Sequence, residues 1–338
     1  MIIVMRKFAE KAEIERVIET VEKLELKPIP LYGTERTVIA VIGDERPVDE
    51  HHISSLPGVD RVMTVLDPYK LASRETKHEN TVIDLGEGVT VGGNKIAMMA
   101  GPCAVENEDQ METSAKAVKA AGAEIMRGGA YKPRTSPYAF EGLGVEGLKI
   151  LQNTAKRHGL KTVTEVMDIR DIDVVAEHAD ILQIGTRNMQ NFNLLKEVGK
   201  TKKPVVLKRG MSATVKEFLL ATEHIMKNGN PNVILCERGI RTFETETRNT
   251  LALATVPLIK ELSHLPIIVD PSHSTGKPSL VAPMTKAAIV AGADGILVDV
   301  HPKPEEALCD GDQAIKPEVF SQLMKELKPL VAAIGRTI

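Results

Sequence analysis

Hydrophobic and polar positions change rhythm near residue 95 of this chain. Before it the pattern is mixed. An apolar run, Ile2-Ile3-Val4-Met5, reads as a strand, and Ile14, Val17, Ile18, Val21 and Leu24 recur at helical spacing behind it. Residues 27–32 and 36–42 read as two strands with a turn at Gly33-Thr34, Pro47 opens a short helix, Pro57-Gly58 ends it, and residues 59–66 form a last strand. The order strand, helix, strand, strand, helix, strand predicts a small α+β ferredoxin-like domain over residues 1–66. Residues 67–80 are polar and nearly unpatterned, as in a linker, and 82–85 and 89–91 flank Gly86-Glu87-Gly88 as a hairpin, so 67–94 is read as linker and hairpin.

From Lys95 onward short apolar runs alternate with helical patterns. The predicted strands are 96–100, 124–127, 162–166, 181–184, 205–208, 233–236, 267–270 and 295–299, eight in all. Helices are predicted at 109–121, 145–158, 170–178, 191–198, 213–228, 248–262, 280–291 and 316–333. The fifth is the clearest, with Thr214 and Glu217 placed as a capping box and Gly229 at its end. Continuous apolar strands, each followed by a helix, predict an α/β (β/α)8 TIM barrel over residues 95–338. An open doubly wound sheet competes, but no Gly-x-Gly-x-x-Gly follows the first strand.

Composition narrows the function. With 43 basic and 46 acidic residues the net charge is −3, which argues against nucleic-acid binding through general charge, so any anion site is local. No run is long enough for a membrane span, and Met1 to Lys7 lacks the charge-then-apolar order of a signal peptide; a cytoplasmic protein is expected. The three cysteines, Cys103, Cys236 and Cys309, are widely spaced and odd in number, which suits free thiols or a metal ligand better than a disulfide framework. His51, His52 and His78 lie in polar stretches and read as surface residues.

In a barrel of this type the active site lies at the carboxyl ends of the strands. Those ends carry Cys103, Arg127 with Lys132 and Arg134, Glu165, Arg187, Lys208 with Arg209, Glu237 with Arg238, Asp270 with His273, and Asp299 with His301. Two groups separate. The cations Arg127, Lys132, Arg134, Arg187, Lys208 and Arg238 exceed what one carboxylate needs, which implies at least two phosphate groups on the substrates. Cys103, His273, Asp299 and Asp310 could together hold one divalent ion, and this borderline donor set suits Mn, Fe, Co or Zn better than Mg or Ca. Taken alone, Cys103 is more often a small buried residue and His273 a hydrogen-bonded loop histidine.

Several motifs in order carry a resemblance: Gly101-Pro-Cys-Ala-Val-Glu106, Arg127-Gly-Gly-Ala-Tyr-Lys-Pro-Arg-Thr-Ser136, Gln183-Ile-Gly-Thr-Arg187, Leu207-Lys-Arg-Gly210, Cys236-Glu-Arg-Gly239, Asp270-Pro-Ser-His-Ser274 and Val300-His-Pro302. Over residues 81–338 the chain resembles the 3-deoxy-D-arabino-heptulosonate 7-phosphate (DAHP) synthases. Its first 66 residues resemble the regulatory ferredoxin-like or ACT-like extension of the type Iβ branch. The resemblance implies metal-dependent condensation of phosphoenolpyruvate (PEP) with erythrose 4-phosphate and water, releasing phosphate at the entry to the shikimate pathway. It implies that Arg127, Lys132, Arg187, Lys208 and Arg238 hold PEP, and that Arg134, Thr135 and Ser136 take the erythrose phosphate. Cys103, His273, Asp299 and Asp310 would hold one divalent ion, Mn2+ favoured. The catalytic residues are then Lys132, Glu165 and His273, with Glu165 placing the attacking water and Lys132 as the candidate proton donor.

One position departs. The family usually has Glu before Val-His-Pro, where this chain has Asp299, one methylene shorter. Cys309 beside Asp310 is a rival ligand; the carboxylate is favoured because it tolerates a partly wet loop better. The nearest rival function, 3-deoxy-D-manno-octulosonate 8-phosphate synthase, usually reads Lys-Ala-Asn-Arg-Ser-Ser where this chain has Lys132-Pro-Arg-Thr-Ser136, so arabinose 5-phosphate is the less expected acceptor. A Schiff-base aldolase using Lys208 would leave the metal set unexplained. A sugar-phosphate-binding regulator without catalysis is the reading from another class. For residues 1–66 a tyrosine or phenylalanine effector is expected, within a homo-oligomer, dimer or tetramer; a stability or oligomerisation module is the alternative.

Overall fold

Two kinds of sheet form in this chain, one antiparallel and one closed and parallel. The computed structural model describes residues 1–43, 49–63 and 69–338, which divide into two units: 1–79 with 262–264, and 80–261 with 265–338. Among the described residues no helix is long and apolar enough to cross a membrane.

In the first unit, β1 (Ile2–Met5), β2 (Lys27–Tyr32), β3 (Thr37–Ile42) and β4 (Val59–Met63) form an antiparallel sheet in the order β2-β3-β1-β4. Helices α1 (Lys11–Lys23) and α2 (Glu50–Ser54) complete the ferredoxin-like order. Ile14, Val17 and Val21 of α1 pack on Ile3, Met5, Ile39 and Val41, whereas Leu24, expected on that face, is 42% exposed beyond the end of the helix. Pro28 and Pro30 sit in the edge strand β2, where a missing N–H costs the ladder least. The expected helix start at Pro47 and strand residues 64–66 lie outside the described residues. The stretch expected to be a polar linker is buried at Tyr69, Leu71 and Ala72; Ser73 bridges Ser263, and His264 Nε2 donates to the Leu71 carbonyl at 2.8 Å.

In the second unit a hairpin of β5 (Ile83–Asp84) and β6 (Thr90–Val91) precedes eight parallel strands that close into a barrel. These are β7 (Ala97–Gly101), β8 (Ile125–Arg127), β9 (Lys161–Glu165), β10 (Ile181–Ile184), β11 (Val205–Lys208), β12 (Val233–Glu237), β13 (Ile267–Val269) and β14 (Gly295–Asp299). The hairpin residues Ile83, Val89 and Val91 join the apolar cluster inside the barrel, beside Ala97 and Ile181 at the starts of their strands. The expected TIM barrel is therefore the observed fold, with the hairpin as part of its core.

Helices α3 (Glu108–Ala121), α4 (Val145–Arg157), α5 (Ile172–His178), α6 (Phe192–Val198) and α7 (Val215–Lys227) follow the first five strands. The α7 capping box forms in both directions between Thr214 and Glu217. The helix expected at 248–262 is observed only as α8 (Thr255–Leu262). Pro257 belongs to a first turn, where its missing N–H is harmless, and upstream Arg248 and Asn249 give their N–H groups to Thr275 and Ser274 instead. A short helix not expected from the pattern, α9 (Pro271–Thr275), begins directly after β13, and α10 (Pro278–Val290) and α11 (Pro317–Ala333) complete the ring.

Candidate active site

Alternate residues of a barrel strand point inward, so side chains two apart along each strand stack in layers. One interior layer is Met99, Ile125, Val163, Ile181, Val206, Cys236, Ile268 and Leu297, all buried in a single apolar cluster. Two positions further on come Gly101, Arg127, Glu165, Gln183, Lys208, Arg238, Asp270 and Asp299. A mostly polar layer thus lies above a dry one, and Cys103, Lys132, Arg187, His273 and Asp310 join it from segments beyond the strands. Gly101 makes the layer fit: at φ +154° its missing Cβ leaves room for the Arg127 carbonyl.

The same parity removes two residues from the site, and a third lies beyond the strand that carries it. Arg209 and Glu237 follow and precede inward positions, so they point toward the helices and pair with each other at 2.7 Å. Glu237 also accepts the Gly239 N–H at 2.6 Å, and Arg209 donates to Thr255 on α8 at 2.9 Å, which makes this a structural pair. His301 is also turned away: its Nε2 lies 3.0 Å from Gln110 Nε2 and 3.5 Å from Glu106, and its Nδ1 accepts the Lys303 N–H. Gln183 was overlooked for its neutrality, although parity selects it; it donates to Glu165 at 3.2 Å.

Cys103, His273, Asp299 and Asp310 converge, with donor atoms that all lie within 4.8 Å of one another. Cys103 Sγ is 3.9 Å from His273 Nε2 and 3.3 Å from Asp310 Oδ2, and His273 Nε2 is 3.5 Å from Asp310 Oδ2. Asp270 caps α9 by accepting the His273 N–H at 2.9 Å, which places the imidazole, and its Oδ2 stands 2.8 Å from His273 Nδ1. That leaves Nε2 facing the other donors. Asp299 Oδ1 is buried without an aligned hydrogen bond, its nearest charge being Arg127 Nη1 at 2.7 Å. A thiol, an imidazole and two carboxylates, one with a buried oxygen in want of a partner, fit a divalent ion of the borderline class. Cys309, the rival thiol, lies 3.5 Å from Cys103 Sγ and takes Arg134 Nη1 at 2.7 Å.

The cluster adjoins a cavity of about 380 Å³ lined by eight cationic side chains. Arg127, Lys132, Arg134, Arg187, Lys208 and Arg238 were expected there; Arg248, at the start of the helix expected over 248–262, and Arg241, in the connection before it, were not. Thr135 and Ser136 also line it. Arg187 donates to Thr135 at 3.4 Å, so a residue expected on the PEP side touches one expected on the acceptor side, and Ser136 Oγ accepts the Tyr138 N–H.

Burial and pairing set the charges. Lys132 lies 3.0 Å from Cys103 Sγ; burial opposes its charge, but the sulfurs of Cys103 and Cys309 raise its pKa above the usual lysine value. The hydrogen bond with Cys309 and burial push the Cys103 thiol up, and the same bond lowers Cys309 to about 7. For His273, burial opposes protonation and the Asp270 and Asp299 carboxylates outweigh it. Asp310 is held low despite burial, by His273, Arg248 and Lys132. Arg238 differs: burial lowers its pKa, and among the described residues its guanidinium has a single long hydrogen bond, 3.4 Å to the Gly239 carbonyl, and no ion pair. A buried cation without a counter-charge calls for an anionic ligand.

Comparison with known proteins agrees with this geometry. Residues 78–333 match the DAHP synthetase I family and residues 1–67 match the DAHP synthase ferredoxin-like domain. The chain is 50% identical over 335 residues to a phospho-2-dehydro-3-deoxyheptonate aldolase of Thermotoga maritima, covering 99% of each. The crystal structure of phospho-2-dehydro-3-deoxyheptonate aldolase (DAHP synthase) from Thermotoga maritima aligns with a TM-score of 0.80 at 49% identity, over 99% of this chain and 98% of that one. A 2-dehydro-3-deoxyphosphooctonate aldolase of Syntrophotalea carbinolica is 30% identical over 265 residues, 73% of this chain and 95% of that one.

Proposed function

This chain is an enzyme of the DAHP synthetase I family, and from that premise we propose that it condenses PEP with erythrose 4-phosphate and water to give DAHP and phosphate. The observation that carries the reading is the four-donor cluster set beside one cavity lined by eight cations. Such a cavity repels itself unless anions fill it, and PEP and an aldose phosphate bring a carboxylate and two phosphates.

In this reading Arg127, Lys132, Arg187, Lys208 and Arg238 bind PEP, and Arg134, Thr135 and Ser136 hold the phosphate of the acceptor. Cys103, His273, Asp299 and Asp310 hold one divalent ion, Mn2+ favoured over Fe2+, Co2+ or Zn2+, which when bound acts as a Lewis acid toward the aldehyde. C3 of PEP attacks the aldehyde carbon, and water, placed by Glu165, adds at C2 with loss of one proton to solvent; the bond from C2 to the phosphate oxygen then breaks as the C2 hydroxyl becomes the ketone, its proton leaving with the phosphate. Lys132 gives a proton to the oxygen that was the aldehyde carbonyl. Asp270 holds the His273 backbone N–H and sets a carboxylate 2.8 Å from Nδ1, and the cations stabilise the charge that develops. The Lys132-Pro-Arg-Thr-Ser136 stretch supports the four-carbon acceptor.

The ferredoxin-like unit supports feedback regulation by tyrosine or phenylalanine, in a dimer or tetramer. Phosphate release from PEP and erythrose 4-phosphate, abolished by a chelator and restored by Mn2+, tests the chemistry. Activity that survives chelation would sink the metal mechanism, preference for arabinose 5-phosphate would sink the acceptor, and no turnover would leave a sugar-phosphate regulator. Deletion of residues 1–70 is expected to remove inhibition by the aromatic amino acids while turnover persists.

A further inference from the structure

Beyond the four donors, one neutral side chain links two of them. Gln313, 2% exposed, donates from Nε2 to Asp299 Oδ2 at 2.6 Å and accepts at Oε1 from Arg248 Nη1 at 2.7 Å. Arg248 in turn lies 3.4 Å from Asp310 Oδ1. A guanidinium only donates and a carboxylate only accepts, so the group between them must do both, and an amide of this length does. A glutamate there could accept from Arg248 but would face Asp299 with a second negative charge. Direct contact by Arg248 would bring a second guanidinium to Asp299, whose Oδ1 already faces Arg127 Nη1 at 2.7 Å. The amide holds Oδ2 without adding charge of either sign.

The geometry points to Gln313 as a positioning residue for the divalent ion, with Arg248 as its anchor. With Oδ2 tied to the amide, Asp299 keeps Oδ1 buried and without an aligned hydrogen bond, facing only the Arg127 guanidinium at 2.7 Å, so Oδ1 is the oxygen that can exchange that contact for an ion. Arg248 reaches Gln313 and Asp310 together, so the segment 310–313 and the loop before α8 are held in one register with both carboxylates. This inference rests on the proposed ion site, and deepens it by naming what aims Asp299.

The test is titration of the metal-free full-length protein with Co2+, in competition with a chelator, following the thiolate-to-cobalt absorption that Cys103 supplies. Gln313→Met keeps the volume and removes both hydrogen bonds. Its Co2+ affinity is expected to fall about 10- to 100-fold, the usual effect of losing a partner of a metal ligand, with altered d–d bands and an unfolding midpoint of the metal-free protein near that of the parent. Arg248→Met, at a half-exposed side chain, is expected to lose less affinity in the same direction and serves where the first variant folds poorly. Parental affinity and spectrum in Gln313→Met, or in Arg248→Met if that alone folds, would overturn the inference. So would an affinity loss matched by an equal loss of metal-free stability. A parent protein that binds Co2+ without thiolate absorption would instead refute the donor set, a separate failure.

Discussion

Replacement of Asp270 by asparagine isolates the charge at the centre of the polar layer. Asp270 is fully buried; its Oδ2 accepts from Lys208 Nζ at 2.6 Å and faces His273 Nδ1 at 2.8 Å, while Oδ1 caps α9. Asparagine caps a helix about as well as aspartate, so Asp270→Asn removes the charge and keeps the cap. Lys208, itself 4% exposed, then has no counter-charge here. Breaking one side of a buried ion pair costs roughly 3–5 kcal/mol, which at the urea dependence expected for a barrel of this size lowers the unfolding midpoint by about 1 M. Asp270→Ala should lose about 1 kcal/mol more through the cap. Inorganic phosphate should stabilise the asparagine variant more than the parent, because it binds a cation left unpaired only in the variant. Burial opposes the Asp270 charge and His273 with Lys208 override it, holding the carboxyl well below 3.8. The pair's contribution is therefore complete above that value and fades as the pH falls toward the depressed one. Urea titration of the three proteins with and without phosphate is the assay. An asparagine variant with the parent's midpoint would refute the claim that this carboxylate neutralises Lys208.

Other expectations follow from the same geometry. A Cβ on Gly185 would run into the Glu165 carboxylate, while the backbone there suits any residue, so Gly185→Ala should cut kcat at least about tenfold with little change in melting temperature. An unchanged kcat would remove Glu165 from the chemistry. Arg134→Ala is expected to raise KM for erythrose 4-phosphate far more than for PEP and Lys132→Ala to abolish turnover; equal weakening of both substrates by the first would undo the proposed division of the cavity. His264 has its pKa lowered by burial from 6.5 to about 4, against the hydrogen bond to Leu71. The unfolded chain takes up a proton below 6.5 that the folded one refuses until about 4, so stability falls across that window by up to about 3 kcal/mol. Thermal melts from pH 7 to 4.5 should show the fall, and His264→Gln, which can still donate to Leu71, should flatten it.

Periodicity made the barrel legible because each parallel strand is buried on both faces and each helix on one. Register was harder to read. Residue type alone put Arg209 and Glu237 among the strand-end charges, while the two-residue repeat that starts at Val206 and Ile234 sends them to the helices. The same repeat selects Gln183, which a search for charge passes over. Arg248 was hidden by an apolar pattern running on from Leu251 that resembled helix, although Pro257 belongs in a first turn, and the helix starts at Thr255, seven residues after the expected start at 248. Gln313 had no local signal at all: its importance comes from Arg248 and Asp299, which are distant in sequence and meet only when the barrel closes.

Three cations of the substrate cavity stand beside candidate ion ligands, which couples the two proposed sites. Arg127 stands on Asp299 at 2.7 Å, Lys132 on Cys103 at 3.0 Å and Arg248 on Asp310 at 3.4 Å, so cations of the substrate cavity lean on three of the four candidate ion ligands. If a divalent ion alone engages those ligands, Arg127, which is buried, loses much of its compensation. If PEP alone engages the cations, Asp299 is left uncompensated in the same way. Either state carries part of the several kcal/mol that a buried unpaired charge costs. With both present, each group has exchanged one partner for a better one. In the proposed reading ion and anion are therefore expected to favour each other's binding, and by linkage the factor by which the ion tightens PEP should equal the factor by which PEP tightens the ion; PEP titrations with and without Mn2+ that give one affinity would refute this.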